Sequence, residues 1–127
     1  MRQIQLVSDS ELILMRIIWE SGGMALYAQI FDTLSQKGMS WNKNTIITLL
    51  SRLVEKGLLK TNKIGRRNEY TALVSEPEYH TAQTKQFVDK VYDGNVKGLI
   101  NTLLGQGFMP AEEQDELLKI WKGGERK

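Results

Sequence analysis

The hydrophobic pattern of the 127-residue chain changes from a helical to a strand period at Gly57, and this change restricts its fold. Before Gly57, apolar residues recur at helical spacing in three segments separated by glycines, which predicts three helices. After it, two short segments rich in Leu, Ile, Thr and Tyr are joined through Gly65, which predicts a β-hairpin with an exposed, basic tip. Three helices followed by a hairpin predict a winged helix-turn-helix DNA-binding domain over residues 1–74.

The helices of this domain have recognisable end signals. Ser8 and Glu11 have the spacing of a capping box at the start of the first helix, and a Gly-Gly pair ends it. The second helix is predicted over residues 25–36 and the third over residues 42–56, each followed by a glycine. These local signals agree with one assembly.

Residues 75–127 have the pattern of three further helices, at about residues 78–92, 96–104 and 111–122. They are too few and too short to form an independent core, so their apolar side chains need a partner surface. A second copy of the chain is the simplest partner, and we expect a homodimer with a three-helix dimerisation domain in this region. The predicted dimerisation residues are Phe87, Val91, Leu99, Leu103, Leu117, Ile120 and Trp121. The fold class is mainly α with a small β-hairpin wing (α+β).

Charge is distributed unevenly along the chain, although its net value is only +2. Residues 1–74 hold ten Lys and Arg against six Asp and Glu, whereas residues 75–127 hold seven against nine. Residues 43–67 alone contain seven basic side chains and a single acid, Glu55. A basic stripe on a nearly neutral chain favours a polyanion-binding face.

The third helix has two distinct faces. On a helical wheel, the core-facing arc holds Ile46, Leu49, Leu50, Leu53 and Val54. The opposite side presents amide, hydroxyl and guanidinium groups, which read base edges in a DNA major groove. The predicted base-reading residues are Asn44, Thr45, Thr48 and Arg52. The alternative is that this polar face is simply solvated, but the helix precedes a basic hairpin, which favours DNA reading.

The hairpin tip KIGRRNE predicts contacts with the DNA backbone. Lys63, Arg66 and Arg67 at the tip, together with Lys43 on the third helix, are expected to hold phosphates and add salt-sensitive affinity. The alternative is a charged turn that keeps a sheet edge soluble.

Several other classes of function lack the residues they need. No cysteine is present, which excludes disulfides, thiolate metal sites and cysteine nucleophiles, and no catalytic or metal-ligand spacing is visible. We expect no enzymatic activity, no cofactor and no metal; Trp19 and Trp41 are interpreted as core or shoulder residues, and His80 as structural or exposed. The N-terminus lacks an apolar signal core and no run is long enough to span a membrane, so the sequence predicts a soluble cytoplasmic protein.

Four segments of the chain carry a family resemblance. They are SDSELILMRIIW, WNKNTIITLLSRLVEKGLL, GRRNEYTALVSEPEY and FVDKVYDGNVKGLI, and together they cover nearly the whole chain. In this order they resemble the penicillinase repressor family of the BlaI/MecI type. The resemblance implies a dimeric winged-helix repressor on palindromic operators of β-lactam resistance genes. It also implies release by proteolytic cleavage in the dimerisation domain, so a membrane β-lactam sensor-transducer or its downstream protease would be a partner.

The resemblance extends to individual residues of the third helix. Family members commonly have Trp-Ser-Pro-Lys-Thr where this chain has WNKNT. Thr45, Thr48 and Arg52 match the family pattern, whereas Lys43 and Asn44 replace the usual proline and lysine. These replacements allow a different operator sequence, with the same docking mode expected.

Two further positions follow from the resemblance. Arg66 matches the wing arginine of the family, after Gly65. The bond cleaved in staphylococcal members is Asn-Phe, in the helix that follows a Tyr-x-Gly motif. Counted from Tyr92, the corresponding bond joins Thr102 and Leu103, where the Asn-Phe sequence itself is not present.

Two other functions fit the same fold. A winged-helix regulator could be released by a small molecule bound between the domains. A protein-interaction module could use the polar face of the third helix to dock another protein, and it would bind DNA weakly and without salt dependence.

Overall fold

The computed structural model describes the backbone of residues 3–125 and the side chains of residues 3–120. Within this range the chain forms six helices and a three-stranded antiparallel sheet, and the predicted fold class is confirmed. In chain order the elements are α1 Asp9–Glu20, β1 Met24–Leu26, α2 Tyr27–Gln36, α3 Lys43–Glu55, β2 Leu59–Ile64, β3 Arg67–Ala72, α4 Glu76–Val91, α5 Val96–Gly105 and α6 Ala111–Glu125. None of the helices in the described range is long and apolar enough to cross a membrane.

The chain divides into two compact units, Met1–Gln83 and Thr84–Lys127. The division falls within α4, so the first turns of this helix belong to the first unit. Tyr79, in those turns, is 1% exposed and part of the hydrophobic core of the first unit.

The capping box predicted for α1 is present. The Ser8 hydroxyl oxygen accepts from the Glu11 N–H at 3.2 Å, and Glu11 Oε1 accepts from the Ser8 N–H at 2.8 Å. Both bonds satisfy backbone donors that the first turn of a helix leaves free. The start of α1 is therefore fixed by two side chains only three residues apart.

The prediction of a helix from residue 25 was wrong for its first residues. Met24–Leu26 forms the strand β1, and α2 begins at Tyr27. β1 pairs antiparallel with β3, with Ala25 opposite Tyr70, and gives the strand order β1-β3-β2. Both Ala25 and Tyr70 are buried, so the pairing of these strands closes the sheet over the core.

The core of the first unit joins its helices to one face of the sheet. Its fully buried side chains include Leu14 and Ile18 of α1, Ile30 of α2, Leu50 of α3 and Leu59 of β2. Burying each such side chain contributes roughly 1.5–3 kcal/mol relative to leaving it exposed. The helices of the first unit are thereby held against one shared core.

The second unit leaves much of its apolar surface uncovered. Among the described side chains from Thr84 onward, only Val88 is buried. Of the residues predicted for dimerisation, Leu99 is half-buried and Trp121 lies outside the described side chains. The others are exposed: Phe87 by 46%, Val91 by 56%, Leu103 by 38%, Leu117 by 40% and Ile120 by 73%.

Candidate nucleic-acid interface

The orientation of α3 is fixed by its cap and its buried face. Asn42 precedes the helix, and its Oδ1 accepts from the Thr45 N–H at 2.8 Å. The buried face consists of Ile46, Leu49, Leu50 and Leu53, while Val54 is partly buried. Turning the helix to bury its polar face would expose these four side chains. The free-energy cost would be several times the stabilisation that comes from burying one of them. The polar face of α3 therefore points away from the core.

The four predicted base-reading residues lie together on this outward face. Asn44, Thr45, Thr48 and Arg52 are all exposed, and 3.6 residues per turn places them within an arc of about 100°. Within the described part of the chain, their side chains form no hydrogen bond or ion pair with the protein. Their donors and acceptors are free for a ligand.

A two-residue turn forms the tip of the β2–β3 hairpin. Ile64 pairs with Arg67, so Gly65 and Arg66 are the turn residues. Gly65 has φ = 62°, which glycine adopts without strain, and glycine at the first position is typical of a type II′ turn. The predicted β-hairpin is confirmed, and Lys63, Arg66 and Arg67 are exposed at its tip.

The basic side chains at this tip are distributed around it. Lys63 pairs with Asn68, whereas Arg67 pairs with Ile64, the adjacent pair of the ladder. Successive pairs lie on opposite faces of a sheet, so Lys63 and Arg67 point to opposite sides. Arg66 lies between them in the turn, and the tip therefore carries positive charge on both faces and at its end.

A short, hydrogen-bonded junction connects α3 to β2. The Leu58 N–H donates to the Leu53 carbonyl at 3.0 Å and the Gly57 N–H donates to the Val54 carbonyl at 3.0 Å. With φ = 84° at Gly57, these bonds form a Schellman motif, which confirms the glycine predicted to end α3. Only Lys56, Gly57 and Leu58 separate the polar helix from the wing, so the two are held in one geometry.

Lys56 belongs to the basic stretch, yet its ammonium group contacts the protein. Its Nζ lies 2.7 Å from Glu11 Oε1 and 3.4 Å from the Leu6 carbonyl oxygen. Burial raises the pKa of Glu11, but the hydrogen bond from Lys56, the Ser8 N–H and the Lys56 charge outweigh it and lower this pKa from 4.5. The sequence-based interpretation missed this ion pair, because nothing local links the first helix to the end of the third.

The tryptophan and histidine residues considered in the sequence lie outside α3. Trp19 and Trp41 are partly buried against the core, as predicted, and the Trp19 Nε1–H donates to the Val74 carbonyl at 2.9 Å. His80 is exposed, with its Nε2 3.8 Å from Glu76 Oε2. In the described range, no three Asp, Glu or His side chains form a group that could hold a metal ion.

A third helix with a free polar face, joined directly to a basic β-hairpin, defines the class of winged helix-turn-helix DNA-binding proteins. A family model described as penicillinase repressor matches residues 7–123. The chain belongs to the penicillinase repressor family.

Two relatives are similar over nearly their full length. The penicillinase repressor of Bacillus licheniformis is 32% identical over 120 residues, which cover 94% of this chain and 92% of the relative. The methicillin resistance regulatory protein MecI of Staphylococcus aureus is 30% identical over 116 residues, covering 90% of this chain and 91% of the relative.

The chain also resembles a protein of solved structure, the monomeric form of Bacillus licheniformis BlaI in complex with the blaP half-operator. The likeness has a TM-score of 0.51 at 37% identity and covers 62% of this chain and 94% of the solved chain.

Proposed function

We propose that the chain is a homodimeric transcriptional repressor that binds palindromic operator DNA and controls β-lactam resistance genes. The observation that carries this proposal is the outward face of α3, whose polar side chains bind nothing within the described protein. A solvated face needs no particular chemistry, but this one combines the amide, hydroxyl and guanidinium groups that recognise base edges. Family membership and the half-operator complex of the BlaI relative support the same function.

The roles divide between the helix and the wing. We assign base reading in the major groove to Asn44, Thr45, Thr48 and Arg52, which share one exposed face of α3. Phosphate contacts are assigned to a second set of exposed cations, Lys43, Lys63, Arg66 and Arg67.

The second unit supplies the dimer interface in this proposal. Its exposed Phe87, Val91 and Leu117 need a cover in water, and a second copy of the same surface provides one. A two-fold dimer then places two α3 helices at half-sites one or more helical turns apart, with about 10 bp per turn. Simultaneous binding of both half-sites raises the affinity by roughly 10²–10⁴ over one half-site.

Proteolysis is the proposed route of release, through a membrane β-lactam sensor or its downstream protease. The bond assigned from the family register joins Thr102 and Leu103, within α5. Thr102 is half-buried, and its hydroxyl donates to the Gly98 carbonyl at 3.1 Å. A protease binds its substrate as an extended strand, so α5 has to unwind locally before this bond is cut.

Selection from a random duplex library tests the DNA-binding proposal. The purified full chain is used to enrich bound sequences, and its affinity for the enriched duplexes is measured at several salt concentrations. We expect a palindrome and a steep, linear fall of log affinity with log salt. If a folded dimer enriches no motif, the proposal is wrong and the protein-interaction alternative gains support.

Deletion of residues 100–127 tests the proposed release. The truncated chain should keep its affinity for one half-site and lose roughly 10² or more in affinity for the palindrome. Unchanged palindrome affinity would contradict release by cleavage in this region.

A further inference from the structure

We infer that the segment of residues 6–11 is a clamp that fixes the direction of α4 relative to α3, and thereby sets the half-site spacing that the dimer accepts. We call this segment, with Lys56 and Tyr79, the N-terminal clamp. This inference rests on the proposed function and adds positioning residues that do not touch DNA.

One side of the N-terminal clamp holds the end of α3. Lys56 is the C-cap of α3, and its Nζ lies 2.7 Å from Glu11 Oε1 and 3.4 Å from the Leu6 carbonyl oxygen. The Glu11 side chain is only 2% exposed, so the ion pair is shielded on the side of the acid. A shielded, hydrogen-bonded pair has one preferred geometry, unlike an exposed pair of mobile side chains.

The other side of the N-terminal clamp holds the start of α4. The Tyr79 hydroxyl oxygen accepts from the Val7 N–H at 3.0 Å. Its ring is buried, with the centroid 6.0 Å from that of Trp19, whose Nε1–H is bound to the Val74 carbonyl. These contacts fix the rotation and the position of the first turns of α4 in the first unit.

Residues 6–11 therefore connect the base-reading helix to the helix that continues into the second unit. The capping box between Ser8 and Glu11 restricts motion within this segment, because both side chains are bound to the backbone of the same turn. On B-DNA, one extra base pair shifts a half-site by about 3.4 Å and rotates it by about 35°. A dimer detects such a change only if α4 leaves each DNA-binding unit in a defined direction.

Removal of both links by conservative substitutions tests the N-terminal clamp. Tyr79→Phe deletes the hydroxyl and keeps the ring, while Glu11→Gln with Lys56→Met removes the ion pair without leaving an unpaired charge. Ile17→Val is the matched control, because it removes one methyl group from the same core and leaves the clamp intact. For the full-length chain and each variant, the affinity is measured for one half-site and for palindromes with zero to three base pairs inserted at the centre.

We expect the wild-type chain and Ile17→Val to lose at least about tenfold in palindrome affinity on insertion of one base pair. The combined clamp variant should keep half-site affinity within about twofold and lose less than about threefold on the same insertion. Tyr79→Phe alone should be intermediate, and thermal unfolding establishes that each variant is folded.

The possible failures are distinguishable. If the combined variant keeps the spacing preference of the wild-type chain, core packing alone sets the direction of α4 and the inference about the N-terminal clamp is wrong. If the half-site affinity falls as much as the palindrome affinity, the clamp residues support α3 only and the inference is also wrong. If the wild-type chain itself prefers no palindrome, the proposed function fails and the clamp with it.

Discussion

Lys63 and Arg67 lie on opposite faces of the β2–β3 hairpin, because they occupy adjacent pairs of its ladder. A tip with cations on both faces suits a position between two phosphate backbones better than a position flat on one of them. We expect Arg66, in the turn between them, to extend the proposed phosphate contacts to the end of the tip.

Alanine at either face of the tip should weaken binding to all sequences alike. We expect Lys63→Ala and Arg67→Ala each to reduce the slope of log affinity against log salt by about 0.9, because each removes one phosphate contact. The double variant should reduce this slope by about twice as much, because the two side chains share no interaction partner. Filter binding to operator and random duplexes at several salt concentrations measures this.

Lys85→Ala is the matched control for these wing variants. Lys85 carries the same charge, is exposed on α4 and pairs with Asp89 at 3.0 Å, outside the proposed interface. It should leave the salt slope unchanged. If the wing variants also left the salt slope unchanged, the hairpin tip would not be part of the DNA interface.

Substitution on the outward face of α3 should instead change sequence preference. We expect Asn44→Ala and Thr48→Ala each to cost about 1–3 kcal/mol on the operator and little on random DNA. The physical reason is that a lost base contact matters only where the correct base is present. Competition titration with operator and random duplexes gives the specificity ratio.

Ser35→Ala serves as the control for these changes, because Ser35 is exposed on α2, outside the proposed reading face, and its substitution also removes an exposed polar group. An equal loss on operator and random DNA for Asn44→Ala and Thr48→Ala would assign these residues to the backbone instead.

The ion pair between Glu11 and Lys56 should make stability dependent on acid pH. The pKa of Glu11 is lowered in the folded chain, so the folded state binds the proton more weakly than the unfolded state. Its contribution to the free energy of unfolding is therefore present above the usual pKa of 4.5 and is lost as the pH falls through the lowered value. Urea unfolding of the wild-type chain and of Glu11→Gln/Lys56→Met, between about pH 7 and pH 3, measures the difference.

Lys56→Met alone should be more destabilising than the double change, by about 1.5–3 kcal/mol at neutral pH, because it leaves a buried carboxylate without its cation. Lys85→Met, at an exposed ion pair, should cost less than about 0.5 kcal/mol. A stability difference between the wild-type chain and the double variant that is independent of pH would refute the role of Glu11.

A charge placed on the uncovered surface of the second unit should prevent dimerisation. We expect Leu117→Asp to be monomeric in sedimentation equilibrium and to keep its affinity for one half-site. Its palindrome affinity should fall by roughly 10²–10⁴, the gain from linking two sites. Asn101→Asp adds the same charge at an exposed position of α5 without removing apolar surface, and it should remain dimeric. If both variants remained dimeric, the dimer interface would lie elsewhere.

Most of the elements, and the start of α1 and the end of α3, could be predicted because their causes are local. The Ser8–Glu11 capping box, the glycine that ends α3 and the apolar arc around Leu50 each depend on residues within one or two turns. The exposed face of α3 followed from the same periodicity, since the side chains that are not buried are the ones left to solvent.

The features that were missed depend on residues far apart in the chain. β1 is a three-residue strand with no alternation of its own, and it forms only because β3 offers an edge beside Ala25. Lys56 cannot be distinguished in the sequence from the other basic residues around it. Its ion pair with Glu11 exists only once α1 and α3 have packed. Local pattern carries no information about such partners.

The free donors and acceptors on α3 also bear on how operator preference changes in evolution. Because Asn44, Thr48 and Arg52 make no bond within the described protein, replacing them breaks nothing in the scaffold. In the proposed function, stability and sequence preference are thus carried by separate residues of one helix. A chain of this kind can acquire a new operator through single substitutions without first passing through an unstable intermediate.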